Sequence, residues 1–138
     1  MSDLVRFGVS LSEELLKKFD KLIKREKYNN RSEALRDLIR KELISREWEL
    51  GKEVIGVITL VYDHHIRDLV NKIIDIQHKV PHMVKASQHI HLDHHNCLEV
   101  IIAEGEPEKI KTLAFQLKAL KGVKHCVFTP TTTGKRIK

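Results

Sequence analysis

Residue types that mark whole classes of protein are scarce in this chain of 138 residues. It has two cysteines, Cys97 and Cys126, which we expect to be thiols and not a disulfide because a cytoplasmic protein lies in a reducing compartment. No apolar run approaches the roughly 20 residues of a membrane-spanning helix, and the start lacks the pattern of a signal peptide. These absences predict a soluble, cytoplasmic protein.

Histidine and cysteine are both missing from the first 50 residues. All nine histidines and both cysteines lie within residues 64–126. Basic residues, in contrast, occur in both halves of the chain, and the formal net charge is +6. Such a charge suits nucleic acid but is shared by many other proteins. We therefore predict two domains, residues 1–50 and 51–138, with the metal-ligand chemistry confined to the second.

The first domain has the pattern of one strand and two helices. Apolar and polar residues alternate from Leu4 to Leu11, as in a half-buried strand. Ser12 predicts the start of one helix, and Asn30 with Glu33 predicts the start of the next. This βαα unit is too small to bury a core, and its strand has no partner, so we expect two copies to pair their strands across a twofold axis.

The paired strands would form a two-stranded ribbon that fits the major groove of DNA. Its outward side would carry Arg6, Gly8 and Ser10. From these residues alone, the solvated side of an edge strand is an equally good interpretation.

The segment Val5–Ser10 and the later run Asn-Asn-Arg-Ser-Glu-Ala, residues 29–34, together resemble the ribbon-helix-helix repressors. The resemblance implies that the ribbon reads base edges and that Arg31 and Ser32 lie near a DNA phosphate. Gly8 departs from the family, which usually places a polar side chain there.

The second domain has the pattern of four strands and two helices. We expect strands at residues 54–62, 83–92, 97–103 and 123–128, and helices at 66–77 and 107–120. The nearly continuous apolar run of the first strand predicts cover on both faces. The order βαββαβ is ferredoxin-like, so the predicted fold class is α+β. The polar tail, 129–138, is predicted to be mobile.

The main chemical motif is His89-Ile90-His91 followed by Cys97. Residues two apart on a strand point to the same face, so the two imidazoles converge. If residues 92–96 form a tight connection, Cys97 lies opposite His91 and faces the same way, whereas a shift of one residue would turn it away. Two imidazoles and a thiolate suit Zn, Cu or Ni, and His78 is the candidate for a fourth ligand.

The order of these motifs, from Gln77-His78 to Cys97-Leu98-Glu99, resembles the nickel-responsive regulators, a ribbon-helix-helix subfamily with an ACT-like second domain. The resemblance covers nearly the whole chain. It implies a homotetramer, a dimer of dimers, that binds one Ni(II) per chain at a subunit interface and represses nickel uptake genes from operator DNA. The implied ligands are His89, His91 and Cys97 of one chain and His78 of another.

The resemblance also assigns supporting roles. Gln77 and Glu99 would orient the ligands. Glu33 and Asp37 would form a second cation site, although by themselves they are read as a solvated pair. Arg67 would lie near the DNA backbone, beside Ile66, where relatives are usually basic.

Other interpretations remain open at this point. His64 and His65, or His94 and His95, are candidates for weaker metal sites. An enzyme is disfavoured because no acidic residue stands at the spacing of a general base. A structural zinc protein, or a ribbon-helix-helix repressor controlled by another metal or a small molecule, would fit the same elements.

Overall fold

The computed structural model describes residues 3–138, which form two compact units divided between Lys41 and Glu42. The helices and strands are, in chain order, α1 (Glu13–Arg25), α2 (Arg31–Glu49), β1 (Val54–Asp63), α3 (Leu69–His78), β2 (Val84–His91), β3 (Asn96–Gly105), α4 (Pro107–Lys118) and β4 (Val123–Thr131). The boundary between the units falls inside α2, nine residues before the predicted boundary between residues 50 and 51.

Both predicted helix starts in the first unit are confirmed. The Leu15 N–H donates to Ser12 Oγ at 3.2 Å, and the Glu33 N–H donates to Asn30 Oδ1 at 2.9 Å. Each bond satisfies one of the N–H groups that a helix leaves unpaired in its first turn.

The predicted strand from Leu4 to Leu11 does not form within the chain. Residues 3–11 have no assigned helix or strand and are exposed, with Phe7 71% exposed. A strand requires a hydrogen-bonded neighbour, and this segment has none within the described part of its own chain. Val9 and Leu11 of this segment line a groove of about 750 Å³. Residues of both helices complete its lining, among them Leu15, Leu16, Phe19, Leu35 and Leu38.

The second unit is a four-stranded antiparallel sheet in the order β2-β3-β1-β4. With α3 and α4 it has the predicted βαββαβ order, so the ferredoxin-like prediction is confirmed. Ile58 and Leu60 of β1 pack in one core with Ile73 of α3 and Ile110 of α4. Gly56 lies where α4 crosses the sheet, because a Cβ there would come within 2.6 Å of the Ile110 side chain.

The prediction that β1 is covered on both faces is wrong within the chain. Its residues alternate strictly between buried and half-buried, so the helices cover one face. The apolar run therefore includes the residues of a second face of β1, which the chain itself leaves partly open.

The tail is anchored, contrary to the prediction of a mobile segment. Trp48 Nε1 donates to the Thr131 carbonyl at 2.9 Å. The buried carboxylate of Glu47 accepts hydrogen bonds from Thr132 Oγ1 at 2.8 Å and from Arg136 Nη1 at 3.2 Å. A buried charge requires such partners, and the polar tail supplies them. Among the described residues, no helix has the length and apolar character needed to cross a membrane.

Candidate metal centre

The β2–β3 hairpin brings the predicted ligands of the motif to one face. His91 pairs with Cys97 and His89 pairs with Glu99, which confirms the predicted register. On the other side of β3, Tyr62 of β1 pairs with the same Cys97. Side chains at paired positions lie on the same face of a sheet, so an imidazole, a thiol and a phenol meet at this end of the sheet.

Two of the four predicted ligands, His91 and Cys97, are in contact, and the ring of a third, His89, lies beside that of His91 but outside the group of ligand atoms within 4.8 Å of one another. His91 Nδ1 is 3.4 Å from Cys97 Sγ, and the ring centres of His89 and His91 are 4.9 Å apart. His78 is the last residue of α3; it is exposed and does not belong to this group. Within one chain the centre is therefore incomplete on the side where a fourth ligand was predicted.

The thiol of Cys97 is fully buried. Burial raises its pKa, and the nearby carboxylates of Asp63, Asp93 and Glu99 raise it further, because both effects disfavour a thiolate. A divalent cation would reverse this balance, since it supplies the positive charge that the site lacks. The donor set and its negative surroundings thus fit a bound metal ion.

A chain of hydrogen bonds holds His89. Its Nδ1 lies 3.1 Å from the Tyr62 hydroxyl, and that hydroxyl lies 3.4 Å from Glu99 Oε2. Ser87 Oγ donates to the other oxygen of Glu99 at 3.0 Å. With Nδ1 occupied by Tyr62, His89 has Nε2 left for a metal. Glu99 therefore orients His89 through Tyr62. Gln77, the other residue predicted to orient the ligands, is buried near the end of α3.

His64 is closer to the centre than the sequence indicated. One ligand atom each of His64, His91 and Cys97 lies within 4.8 Å of the other two. His64 Nε2 lies 3.0 Å from the His94 carbonyl, which can only accept a hydrogen bond, so Nε2 carries the proton. Nδ1 is then the nitrogen available to bind a metal ion.

The predicted DNA-contacting residues are exposed. Arg6, Gly8 and Ser10 lie in the extended segment before α1. Arg31 makes two parallel hydrogen bonds of 3.0 Å to the carboxylate of Asp20, between α1 and α2. In the second unit, Arg67 is exposed beside Asp68, at 3.9 Å. Ser32 lies at the start of α2, one residue after Arg31.

The predicted second cation pair lies on α2. Glu33 and Asp37 line one cavity of about 350 Å³, together with Tyr28, Arg36 and Arg40. Asp37 accepts a hydrogen bond from the Tyr28 hydroxyl and pairs with Lys41 at 3.2 Å. These partners lower the pKa of Asp37, the Tyr28 hydrogen bond most, so the carboxylate is charged and already engaged.

Comparison with known protein families accounts for both units. The family model described as NikR C terminal nickel binding domain matches residues 55–131. The family model described as ribbon-helix-helix protein, copG family, matches residues 5–45. The chain belongs to the nickel-responsive regulators. It is a DNA-binding transcription regulator and not an enzyme.

Curated relatives of this regulator match along nearly its whole length. A protein named as a nickel-responsive regulator from Syntrophus aciditrophicus is 60% identical over 91% of both chains. Proteins of the same name from Desulfovibrio desulfuricans and Pyrococcus furiosus are 50% and 51% identical over at least 97% of each chain. An uncharacterized protein from Thermotoga maritima shares the fold alone, with TM-score 0.52 and 11% identity over 57% of this chain and 98% of its own.

Sequence reasoning did not assign two residues that the structure places at the candidate metal centre. Tyr62 ends an apolar strand and gives no polar signal, although its pairing with Cys97 follows once the β1–β3 register is known. His64, two residues further on, was considered only for a weaker site. Tyr62 lies on β1 and His64 directly follows that strand, so both are distant in sequence from the His-x-His motif, and a strand order cannot be read from local spacing.

Proposed function

We propose that this protein represses nickel uptake genes in the cytoplasm and that nickel binding strengthens its hold on operator DNA. The observation that carries this proposal is the buried thiol of Cys97 beside His91, in a chain whose other unit has a ribbon-helix-helix pattern. In a DNA-binding protein, a thiolate that binds a metal ion can make the protein a sensor of that metal.

Nickel would be held by His89, His91 and Cys97 of one chain and by His78 of the partner subunit, one ion per chain. The exposure of His78 at the end of α3 supports this, because its ring is available to another chain. Three imidazoles and a thiolate in a plane favour Ni(II) or Cu(II) over Zn(II), which prefers a tetrahedron. Gln77 and Glu99 would orient the ligands, Glu99 through Tyr62.

Assembly would proceed through both units, giving a homotetramer made of two DNA-binding dimers. The apolar groove beside residues 3–11 supports pairing of the first units, since its exposed Phe7 and Val9 would be buried by a second copy. The half-open face of β1 supports association of the second units.

Operator DNA would be read by Arg6, Gly8 and Ser10 in the major groove. Arg31, Ser32 and Arg67 would contact the phosphate backbone. The Arg31–Asp20 pair is exposed, so a DNA phosphate could replace the carboxylate at little cost. Glu33 and Asp37 would hold a second cation in the DNA-bound state. Asp37 would then give up the hydrogen bond that it accepts from Tyr28 and bind the cation instead.

The coupling is a matter of linkage. If nickel at the subunit interface favours the arrangement in which both DNA-binding dimers reach their half-sites, nickel and DNA strengthen each other's binding by the same factor. Neutralisation of phosphates by Arg and Lys would make the DNA affinity fall steeply with salt.

A nickel titration with two matched cysteine variants tests the proposal. Wild-type protein, Cys97→Ala and Cys126→Ala are titrated with Ni(II), and absorbance and operator gel shifts are recorded. Cys126 is the matched control, because it is half-buried on β4 and lies outside the ligand group. We expect a thiolate-to-nickel absorption band in the wild type and in Cys126→Ala, saturating at one ion per chain, and its loss in Cys97→Ala together with nickel-dependent DNA binding.

The opposite result is equally definite. DNA binding that is tight without nickel and unchanged by Cys97→Ala would contradict the proposed control by nickel. A band that saturates at one ion per two chains would contradict the stoichiometry alone.

A further inference from the structure

A second group of metal-ligand side chains lies outside the proposed nickel ligands. It consists of Asp63 at the end of β1, His65 two residues later, and His95 immediately before β3. One ligand atom of each lies within 4.8 Å of the other two. The side chain of His65 is 49% exposed and that of Asp63 is 26% exposed, so the group opens to solvent.

The backbone that carries these three residues is held in place without any metal. Asp63 forms the last pair of the β1–β3 register, with Asn96, and the His64 N–H donates to the His95 carbonyl at 3.2 Å. The turn before β3 is fixed by Asp93, whose carboxylate accepts the N–H groups of His95 and Asn96, both at 2.8 Å. Ligands on such tied turns lose little conformational freedom when they bind an ion.

The side chains are also turned toward each other. Asp63 Oδ1 accepts the backbone N–H of His65 at 2.9 Å and lies 3.1 Å from its Nδ1. Since a carboxylate only accepts, Nδ1 carries the proton in this contact. The ring of His95 lies 5.3 Å from that of His65, centre to centre. A cation in place of the Nδ1 proton would therefore meet a carboxylate and two imidazoles.

We propose that Asp63, His65 and His95 form a second metal site, which binds a divalent first-row transition-metal ion such as Ni(II) with water in its remaining positions. Two imidazoles and a carboxylate suit Ni, Cu or Zn better than Mg or Ca. The site binds more weakly than the Cys97 centre, because it has no thiolate and faces water. His64 lies between the two sites, with its ring 4.0 Å from that of His65 and 5.7 Å from that of His91.

Equilibrium dialysis of full-length protein against Ni(II), with the bound metal counted per chain, tests this site. The variant is His65→Ala/His95→Ala. The control is His82→Ala/His125→Ala, which also removes two exposed histidines but from outside both groups. We expect the wild type and the control to bind another ion per chain at nickel concentrations above those that saturate the thiolate band. The variant is expected to lose this second step and keep the band.

Three results would overturn the site: no second ion in the wild type, a second ion retained by the variant, or loss of the thiolate band from the variant. The last would mean that the two histidines belong to the first centre. The inference does not depend on the proposed function. A second ion lost only from the variant would support the site even if operator binding proved indifferent to nickel.

Discussion

The two units of this regulator bury their apolar residues in different ways. In the second unit, Ile58, Leu60 and Ile101 are completely buried in a core made by one chain. In the first unit, Ala34 is the one buried hydrophobic residue among the described residues 3–41, and Leu15 and Phe7 remain more than half exposed. A core needs a minimum amount of chain, and about 40 residues seldom supply it. The first unit thus has the apolar residues of a core, but one chain alone does not supply enough of them to complete it.

This difference teaches where each unit's stability resides. The second unit contains the interactions that stabilise it, so a change there acts through the single chain. The first unit leaves its groove open within the chain, so we expect a change there to act through association. Four variants sharpen the contrast, beginning with the largest expected effect.

Val9→Asp is expected to have the largest effect. Val9 lines the apolar groove, and a second copy would enclose it. A buried, unpaired carboxylate costs about 3–5 kcal/mol, so operator affinity should fall at least about a hundredfold. Gel shifts with a duplex selected by the wild-type protein, together with sedimentation, measure the loss. Val9→Ile should behave as wild type, and unchanged assembly of Val9→Asp would show that no second copy covers this face.

Ile58→Ala tests the core that the chain makes alone. Ile58 is completely buried on β1, where it pairs with Ile101 of β3 on one side and with Phe128 of β4 on the other. Removal of three carbons from such a core lowers the free energy of unfolding by about 2–5 kcal/mol. Urea denaturation of the apo-protein measures it, with Ile58→Val, expected to cost about 0.5–1.5 kcal/mol, as the graded control. A loss below that of Ile58→Val would mean that the core repacks.

Tyr62→Phe tests the support of the metal centre, and Tyr28→Phe in the first unit is its matched control. Tyr62 links His89 to Glu99, so its loss should weaken nickel binding about tenfold to a hundredfold while the thiolate band remains. Tyr28 contacts Asp37 on α2, and its loss should leave nickel affinity unchanged. Equal nickel affinity in both variants would show that Tyr62 does not support the metal centre.

The same contrast explains what the sequence could and could not predict. Elements that depend on local spacing, such as the caps at Ser12 and Asn30 and the register of His91 with Cys97, were predicted and confirmed. The strand from Leu4 to Leu11 was predicted but does not form within the chain, because its partner must come from elsewhere. The anchored tail was missed, since Glu47 and Thr132 are 85 residues apart and nothing local links them.

The metal centre divides along the same line. His89, His91 and Cys97 follow from one hairpin, whose spacing is visible in the sequence. Tyr62 of β1 and His64, just after that strand, join them, and only the strand order β2-β3-β1-β4 places them there. The fourth ligand, His78, stays a prediction, because the chain does not bring it to the others.

Asp20→Asn is expected to have the smallest effect. The Arg31 hydrogen bonds lower the pKa of Asp20 below its ordinary value of 3.8, but both side chains are about half exposed, so solvent screens the pair. Because the pKa is lower in the folded state, the pair stabilises the fold above pH 3.8, and this contribution disappears as the pH falls below that value. Thermal melts should therefore show a slightly lower midpoint for Asp20→Asn at pH 7 and a smaller difference at pH 2.5. Arg31→Gln should show the same small change at pH 7, and the double variant should add nothing further, since each change removes the same pair. A difference that does not shrink in acid would assign the effect of Asp20→Asn to packing on α1 and not to charge.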